Sequence, residues 1–465
     1  MVTNNPTHIL DTLSPQALLL LELTPSHETE RKRQVEFFLC DVGIEKVSRP
    51  CEAKIIFSFL RTFVPLCLRS KKKWQINFSA LFLLLTFLSL PSFSLTIERV
   101  SIRIFADLEL NSALFSGSFG KYEVWGDGKL INENIPEDIF QFVVNGDSVN
   151  VKTLEKSLGK YSRISLKGIT PENNFKLKPL IPEKNARVYE DDLEIYSANK
   201  LLVLLNKANI ENYTCGVVYA ESGGTAAGEY YKLQAVLVRT YTLSHLRRHE
   251  LEGFNLCDQV HCQAYKGKVN NEVLEKAVES SKGLVVVDAD LKLITAAYHS
   301  NCGGQTINCE DVWSLPTSYL KAVKDTFCLK QPNAKWQKKI PAKEWEEYLV
   351  SESKYLYADT ANAFELYNYQ QNNNDRERYY LYKSVKIPLK KIREDWHLKS
   401  TFFSIEEKEG MVIFSGKGFG HGVGMCQEGA MRMALLGYSY KDMIHFYYKD
   451  VHIVDLSVLD FFRQE

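Results

Sequence analysis

Three segments of the chain place glycine beside side chains that could carry out chemistry. They are VVYAESGGTAAGEYYKLQAVLVRTYTL (217–243), AAYHSNCGGQTINCEDVW (296–313) and GKGFGHGVGMCQEGAMRMALLGYSY (416–440). Glycine has no side chain, so a backbone rich in it can approach a ligand closely. These segments are therefore the first candidates for a catalytic or binding site.

Glu221 in the first segment has the setting of a general acid. It follows the apolar run VVYA, which is typical of a strand, and precedes a predicted helix from Thr225 to about Arg248. Burial disfavours the charged form of a carboxyl group and raises its pKa, as an acid acting near neutral pH requires. Spacing alone favours a second interpretation, in which Glu221 caps the helix and Arg239 forms a structural ion pair.

The third segment alternates glycine with other residues over 418–424 and brackets His421. It is not a phosphate-binding loop, because the lysine and Ser/Thr of that motif are absent and no G-x-G-x-x-G follows a strand. A Cys/His nucleophilic pair using Cys426 or Cys302 is conceivable. Against it, buried free cysteines mostly behave as small apolar residues.

A fourth group, His249 followed by CDQVHC (257–262), has the composition of half a zinc site. Cys257 and Cys262 with a histidine would supply thiolate and imidazole ligands, and the remaining ligands would come from elsewhere in the fold. A Cys257–Cys262 disulfide explains the spacing equally well in an exported protein. The residues alone leave both alternatives open.

Composition excludes several classes of protein. The 465 residues contain 57 Lys+Arg and 57 Asp+Glu, so the formal net charge is zero, which gives no general reason to expect a nucleic-acid partner. With 45% hydrophobic and 12% aromatic residues, the chain is not wholly disordered, collagen-like or a coiled coil.

Residues 71–94 have the layout of a secretory signal. Three lysines precede an apolar run from Phe78 to Leu90, which Pro91 breaks before a stretch of small residues. The run is shorter than the roughly 20 residues of a membrane span, which favours a cleaved signal peptide over an uncleaved anchor. We therefore expect an exported protein, in the periplasm or at the outer face of the cytoplasmic membrane.

A signal should begin a chain, yet no methionine lies between Met1 and Met411. We therefore expect translation to start near Val64 or Leu68. Residues 1–70 would then be a gene-model artefact or an unstructured leader.

The exported part predicts an α+β fold, because strands and helices are mixed without strict alternation. Alternating apolar residues predict strands at ERVSIRIFA, GKYEVWG, IFQFVVNG, SRISLKG, ARVYEDDLEIYS and KLLVLLN. The sequence also predicts a hairpin in 282–300 that turns at 288–290, and a closing helix from Gln427 to Leu436.

We divide this part into four regions that form one elaborated module with a candidate catalytic part. They are a strand-rich part (95–204), a catalytic part with Glu221 and the Gly-Gly loop (205–342), a polar surface insertion (343–393) and a C-terminal part with the GHGVGM loop (394–465).

Together the three segments resemble the SpoIID family, which comprises stage II sporulation protein D and its amidase-enhancer relatives. The first is similar to V-x-x-E-M-P…E-x-x-K-A-Q-A-x-x-A-R-T-Y, the second to Y-x-S-x-x-G-G-x-T…E-x-V-W, and the third to G-x-G-W-G-H-G-V-G-M-S-Q-x-G-A. The resemblance covers about residues 95–455, and it is weakest over 343–393.

The resemblance implies a lytic transglycosylase that cleaves peptidoglycan glycan strands stripped of stem peptides. Glu221 would protonate the glycosidic oxygen after N-acetylmuramic acid and then accept the proton of that sugar's own C6 hydroxyl, which leaves a 1,6-anhydro end. One carboxyl group is enough, because the internal hydroxyl replaces the water that a hydrolase activates with a second. Arg239 and Gln234 would orient the acid or the sugar.

The resemblance also implies substrate-binding residues, a metal and a partner. The residues that would shape the cleft and contact the glycan are Ser300, Gly303, Gly304, His421, Gly422, Gly424 and Gln427. Zinc would be bound by a histidine and two cysteines after the catalytic helix, here His249, Cys257 and Cys262. The partner would be an N-acetylmuramoyl-L-alanine amidase, in sporulation or in cell division.

The chain departs from the family pattern at five positions. Ser222-Gly223 stands where Met-Pro is usual, Phe419 and Glu428 replace tryptophans, and Cys426 replaces serine. These departures keep a second hypothesis open, a non-catalytic peptidoglycan-binding protein that enhances an amidase. A zinc-dependent hydrolase is a third, although no H-E-x-x-H helix supports it.

Overall fold

The computed structural model describes residues 98–134, 138–313, 315–353, 367–371, 376–382 and 385–458. The predicted signal at 71–94 and the leader at 1–70 lie outside the described residues, so both stay predictions. None of the described helices is sufficiently long and apolar to cross a membrane.

The described strands and helices are numbered here in chain order. The strands are β1 (Arg99–Arg103), β2 (Ser112–Phe119), β3 (Tyr122–Gly126), β4 (Lys129–Asn134), β5 (Ile139–Asn145), β6 (Ser148–Lys152), β7 (Ser157–Tyr161), β8 (Arg163–Gly168), β9 (Asn174–Ile181), β10 (Arg187–Glu190), β11 (Asp192–Ala198), β12 (Leu201–Asn209), β13 (Leu256–Cys257), β14 (Leu284–Val287), β15 (Tyr298–His299), β16 (Lys335–Pro341), β17 (Tyr379–Tyr382), β18 (Val385–Pro388), β19 (Phe403–Lys408), β20 (Met411–Lys417), β21 (Met425–Cys426) and β22 (His452–Asp455). The helices are α1 (Ile210–Ser222), α2 (Gly228–Ser244), α3 (Glu272–Ser280), α4 (Glu310–Trp313), α5 (Ala342–Ser353), α6 (Leu389–Asp395), α7 (Gln427–Leu435) and α8 (Tyr440–Tyr447).

Two large sheets form the N-terminal part of the fold. One has the order β13-β1-β12-β11-β8-β3-β4 and the other β10-β9-β2-β5-β6-β7. Their strands alternate buried and less buried residues, as in β5, where Phe140 and Phe142 are fully buried. The sheets share a core, since Phe115 of β2 lies 5.4 Å from Tyr122 of β3, ring centre to ring centre. The α+β class is thereby confirmed.

The residues before Glu221 are helical, which corrects the strand expected there. The Asn209 side chain caps α1 by accepting a hydrogen bond from the Glu211 amide at 2.9 Å. Ile210, Tyr213 and Val217 are buried on one face at helical spacing. The four-residue window VVYA was too short to reveal this period, so its β-branched residues suggested a strand.

The predicted second helix forms as α2 but ends at Ser244, before Arg248. Arg239 in this helix is fully buried. Its guanidinium donates two hydrogen bonds to the Glu211 carboxylate, at 2.9 and 2.5 Å, and one to the Leu284 carbonyl at 2.8 Å. This one side chain therefore ties α1, α2 and β14 together.

The hairpin predicted in 282–300 forms only in part. The turn exists, because the Asp288 amide donates to the Lys292 carbonyl at 2.9 Å. However, β14 pairs along its length with β22, near the C-terminus, and Leu293 makes only an isolated bridge to Val287. Sequence proximity favoured the local partner, whereas the fold supplies a distant one. The predicted closing helix is confirmed as α7.

The described residues of 343–393 are more buried than a polar surface insertion would be. Trp345 and Leu349 of α5 are fully buried, in a hydrophobic cluster that also contains Ile392, Phe403 and Phe414. Aromatic and aliphatic residues lie between the charged residues of this stretch, and in α5 and α6 they are buried on one side of the helix. The stretch thus contributes to a second core, with β16, β19 and β20.

The ion pair between Glu211 and Arg239 predicts a large stability effect. We expect Glu211→Gln to lower the free energy of unfolding by about 3 kcal/mol, because it leaves a buried guanidinium charge without its partner. Urea denaturation measures the loss. The matched control is Glu272→Gln, which breaks the exposed α3 pair with Lys276 and should change stability by less than about 0.5 kcal/mol. Equal losses in the two variants would contradict a structural role for Arg239.

Candidate functional site

Glu221 lies at the last turn of α1, where the chain leaves the helix. Gly223 ends the helix with a φ of 72°, a backbone conformation that proline cannot adopt. Ser222-Gly223 therefore ends α1 in a way that the usual Met-Pro could not. The Tyr231 hydroxyl fastens the following loop, because it donates to the Gly223 carbonyl at 2.9 Å and accepts from the Ala226 amide at 3.0 Å.

The Glu221 carboxyl group is half-buried. Burial raises its pKa above the ordinary value for glutamate, against the opposing effect of a hydrogen bond from the Ala264 amide to Oε1 at 3.1 Å. The predicted direction of this shift is confirmed. Among the described residues, no second carboxylate contributes to it.

Two tyrosines lie beside this carboxyl group. Burial raises the pKa of both Tyr230 and Tyr298, and the negative charge of Glu221 raises it further. Both phenols are therefore neutral hydrogen-bond donors at physiological pH. Only Tyr298 is part of the quoted motif patterns, so sequence reasoning missed Tyr230; its position nine residues after Glu221, in the next helix, was the available signal.

Gln234 and Gln427 act on Tyr230 and not on the acid directly. Oε1 of Gln234 accepts a hydrogen bond from the Tyr230 hydroxyl at 3.2 Å, and the Gln427 side chain also interacts with that hydroxyl. Both glutamines are buried. Gln234 is thus a positioning residue one step removed from Glu221, and Gln427 approaches the same tyrosine from α7.

Arg239 does not belong to this site, which corrects its assignment as a catalytic residue. Its hydrogen bonds go to Glu211 and Leu284. Glu211 and Glu221 are ten residues apart on one helix, or about 15 Å at 1.5 Å per residue. The structural interpretation of Arg239 is the one that its contacts support.

The second and third glycine-rich segments meet through a short parallel pairing of β15 with β21. Tyr298 is in register with Met425 and His299 with Cys426. The chain after β15 continues the contact, since the Ser300 carbonyl accepts from the Glu428 amide at 3.0 Å. The two segments therefore form one structural unit beside Glu221, which spacing along the sequence could not establish.

The glycines of these segments serve close packing of one backbone on another. A side chain at Gly424 would place its Cβ 2.1 Å from the Ala297 carbonyl oxygen. A Cβ at Gly303 would lie 2.7 Å from the Lys417 backbone, and one at Gly422 would lie 2.2 Å from the Arg376 guanidinium. The expected approach of a backbone to a ligand is therefore, at Gly424 and Gly303, an approach of the two loops to each other, and at Gly422 it is packing against Arg376. Gly304 faces the flexible end of Leu329 at 3.0 Å.

His421 is held as a neutral imidazole. Burial, together with the nearby Arg393 guanidinium, lowers its pKa to about 4. Nδ1 accepts a hydrogen bond from the Val423 amide at 3.1 Å, and the Tyr298 carbonyl accepts one from the ring. The His421 ring thus joins the two loops, and its centre lies 5.3 Å from the centre of a Trp313 ring. Ser300 is bonded nearby, its hydroxyl accepting from Asn333 at 3.4 Å.

The three predicted metal residues come together with His261 as a set of four. His249, Cys257, His261 and Cys262 place one ligand atom each within 4.8 Å of the others. His249 Nε2 lies 3.3 Å from Cys262 Sγ and 3.3 Å from His261 Nε2, and Cys257 Sγ lies 3.4 Å from His261 Nε2. Zinc bonded at about 2.3 Å to sulfur and about 2.0 Å to nitrogen requires ligand separations of about 3.3–3.8 Å.

The donor set therefore fits zinc, with two corrections to the expectation. All four ligands come from 249–262, so no second half is needed from elsewhere, and His261 completes the set. Its position directly before Cys262 was the available signal. Glu252 lies 2.6 Å from His249 Nδ1, and a carboxylate there would orient the ring as metal-bound histidines require.

The family model described as "Stage II sporulation protein", SpoIID, matches residues 198–287. The match spans α1, the Glu221 turn, α2 and the four-residue metal cluster. The chain also matches stage II sporulation protein D of Bacillus subtilis strain 168, with 28% identity over 260 residues, 52% of this chain and 74% of that protein. Residues 198–287 thus match the SpoIID family model, and the resemblance read from the sequence is confirmed.

Two further relatives extend the family comparison. An uncharacterized protein of Brachyspira hyodysenteriae is 29% identical over 282 residues, which cover 59% of this chain and 74% of the relative. The amidase enhancer of B. subtilis strain 168 is 27% identical over 284 residues, 50% of this chain and 39% of that longer protein.

The raised pKa of Glu221 predicts a pH-dependent stability difference. The folded state keeps the Glu221 proton at pH values where the unfolded state has lost it, so this group makes stability fall as pH rises through that range. Glu221→Gln removes this pH-dependent loss of stability, because glutamine does not titrate. We expect the free energy of unfolding of the variant, relative to that of wild type, to rise from about pH 4 upward and then to level off. The total rise should be about 1.4 kcal/mol for each tenfold difference in the proton affinity of Glu221 between the folded and unfolded states.

Urea denaturation between about pH 3 and pH 8 measures this difference. The matched control is Glu279→Gln on α3, where the side chain is 72% exposed. The same pH-dependent gain in both variants would contradict an effect of burial at Glu221.

Proposed function

We propose that this protein is a peptidoglycan lytic transglycosylase in which Glu221 is the catalytic acid. The match to the SpoIID family model supports a cell-wall-related function. The observation that carries the finer proposal is the half-buried Glu221 carboxyl group, whose pKa is raised by burial. A carboxylic acid that keeps its proton toward neutral pH is the group that glycosidic bond cleavage needs.

The proposed reaction uses this one group twice. Protonated Glu221 donates its proton to the glycosidic oxygen that follows N-acetylmuramic acid, and the bond from that oxygen to C1 breaks. The carboxylate then accepts the proton of the same sugar's C6 hydroxyl as the C6 oxygen bonds to C1. The products are a 1,6-anhydro end and a free hydroxyl on the leaving sugar, and no water is consumed.

The surroundings of Glu221 support this reaction over hydrolysis. Glycoside hydrolases place two carboxyl groups about 5–10 Å apart. Within the described part of the chain, no second carboxylate influences the Glu221 pKa, and the negative charge of Glu221 acts on the neutral phenols of Tyr230 and Tyr298. Tyr230 donates its one hydroxyl proton to Gln234 and Tyr298 is bonded to Gln263, so these phenols leave Glu221 as the acid at this place.

Exposed aromatic rings provide surfaces on which sugars could stack. Tyr219 lies two residues before Glu221 in α1, and 45% of its surface is exposed. Phe419 is 41% exposed in the third segment, at the position where tryptophan is usual, and Trp313 is 38% exposed beside His421. The Glu428 carboxylate accepts hydrogen bonds from the side-chain amides of Asn301 and Asn333, each at 2.6 Å. Glu428, which stands where tryptophan is usual, therefore has a structural role.

We also propose zinc at His249, Cys257, His261 and Cys262. Bound zinc there would hold the segment after α2 in place, and Ala264, whose amide donates to Glu221, lies two residues beyond the last ligand. Four protein ligands leave no open coordination position, which favours a structural metal over a hydrolytic one. A zinc-dependent hydrolase is correspondingly disfavoured.

The remaining context of the protein follows from the same proposal. The substrate would be glycan strands stripped of stem peptides, so a partner N-acetylmuramoyl-L-alanine amidase would act first. The signal-like segment at 71–94 would direct the protein to the periplasm or the outer face of the membrane.

A non-catalytic enhancer of an amidase is the second candidate. The relative named amidase enhancer and the Ser222-Gly223 departure after Glu221 favour it. When the purified protein meets glycan without an amidase, the first candidate breaks the glycosidic bond, whereas the second breaks no bond. Only the first requires a protonated Glu221.

We expect Glu221→Gln to lower the rate of release of 1,6-anhydro products from peptide-stripped glycan by about 10²–10⁴-fold, because proton donation is lost while the side-chain shape is kept. Mass spectrometry of the products measures this, since an anhydro end is lighter than a reducing end by one water. Glu279→Gln is the matched control and should retain wild-type activity. Wild-type protein that yields ordinary reducing ends would defeat the proposal, and wild-type protein that yields no cleavage but accelerates an amidase would favour the second candidate.

We expect His261→Ala to lower the zinc content of the purified protein by one equivalent, because it removes a ligand that both cysteines and His249 surround. Elemental analysis by mass spectrometry measures the content. His452→Ala, at an exposed histidine of β22, is the matched control and should keep all the zinc. A Cys257–Cys262 disulfide in the wild-type protein, found by peptide mapping, would contradict a metal at this cluster.

A further inference from the structure

A second cluster of ligand-type side chains lies in the interior, separate from the residues 249–262. Cys302, Asp325, Cys328 and Cys426 each offer one ligand atom, and these atoms lie within 4.8 Å of one another. All four side chains are buried, with at most 1% of their surface exposed. The sulfur atoms of Cys302 and Cys328 are 3.4 Å apart, and Cys302 Sγ lies 3.3 Å from Asp325 Oδ2.

Three separate parts of the chain meet at this cluster. Cys302 belongs to the Gly-Gly loop after β15, and Cys426 ends β21, the partner strand of β15. Asp325 and Cys328 lie in the loop that precedes β16. The Asp325 amide donates to the Gly304 carbonyl at 3.0 Å, so this loop is anchored to the Gly-Gly loop as well.

Hydrogen-bond donors surround the candidate ligands and point at them. The Cys302 amide donates to Cys426 Sγ at 3.2 Å, and the Tyr447 hydroxyl donates to Asp325 Oδ2 at 3.0 Å. The amides of Gly303 and Gly304 donate toward Cys328 Sγ. Such donors stabilise thiolate and carboxylate ligands and orient them toward a metal.

Neither packing nor a disulfide accounts for the whole set. Free buried cysteines can pack as apolar residues, but an ionised carboxylate buried among them is costly unless it is both hydrogen-bonded and paired with a positive charge. Among the described residues, no Lys or Arg forms an ion pair with Asp325. A Cys302–Cys328 disulfide would leave Cys426 and Asp325 unexplained.

We propose that Cys302, Asp325, Cys328 and Cys426 bind one Zn²⁺ ion in a closed tetrahedral site. Thiolate and carboxylate oxygen are zinc ligands, and bonds of about 2.3 and 2.0 Å place sulfur atoms about 3.8 Å apart and sulfur and oxygen about 3.5 Å apart. The observed 3.4 and 3.3 Å need only a small outward adjustment. Four protein ligands make this a structural centre.

The centre would fasten the second and third glycine-rich segments to each other. Cys426 immediately precedes Gln427, which interacts with Tyr230 beside Glu221. A metal here would therefore fix the register of β15 and β21 and, with it, one wall of the candidate site. The proposal concerns binding and does not depend on the reaction that Glu221 performs.

The test uses the full-length protein purified under reducing conditions, with its zinc content measured by elemental mass spectrometry. His261→Ala should remove zinc from the cluster at 249–262 and leave only the second centre filled. We therefore expect this variant to retain one equivalent of zinc. His261→Ala combined with Cys328→Ser should retain none. Cys309→Ser is the matched control, because Cys309 is equally buried but outside both clusters; in the His261→Ala background it should leave the equivalent in place.

A second measurement covers the case in which Cys328→Ser fails to fold. His261→Ala loaded with Co²⁺ in place of zinc should show the thiolate-to-cobalt charge-transfer absorption of a tetrahedral sulfur-rich site. Peptide mapping of unreduced wild-type protein should find all three cysteines alkylated after unfolding. A Cys302–Cys328 disulfide, iron in place of zinc, or a folded His261→Ala protein without bound metal or cobalt absorption would overturn the proposal.

Discussion

The chemistry proposed for this protein depends on how one carboxyl group is held where α1 ends. Glu221 is half-buried and accepts one amide hydrogen bond, from Ala264. Burial and that hydrogen bond shift the pKa in opposite directions, and the net shift is upward, so burial is the larger effect. The last turn of α1 must therefore keep this carboxyl group half-buried.

The rest of the fold keeps that turn in place. Arg239 holds the start of α1 against α2 and β14 through the Glu211 carboxylate, and the Tyr231 hydroxyl fastens the loop after Glu221. On the far side, β15 and β21 pair over only two residues each, too few to be stable alone. The close approach of Gly424 to Ala297 and the buried Cys302–Cys426 contact show how much of that wall relies on packing between loops.

Much of the local structure could be predicted from sequence, because it depends on periodic patterns. The alternation of apolar residues located β1, β3, β5, β8, β11 and β12, and the 3.6-residue period located α2 and α7. Prediction failed where a window was short, as before Glu221, or where a partner was distant, as for β14 and β22. Burial of Trp345 in a second core was missed because charged residues dominate the composition around it.

The sequence by itself indicated the SpoIID resemblance, the α+β class, a candidate acid at Glu221 and the cysteine and histidine types that can bind metal. Only the tertiary structure decided which of these residues meet. It separated Arg239 from the acid, placed Tyr230 beside it, completed the first cluster with His261, and collected Cys302 and Cys426 with two residues from a third loop. The physical reason is that residue type fixes what a side chain can donate or accept, whereas pKa and coordination depend on distances between segments that are far apart in the chain.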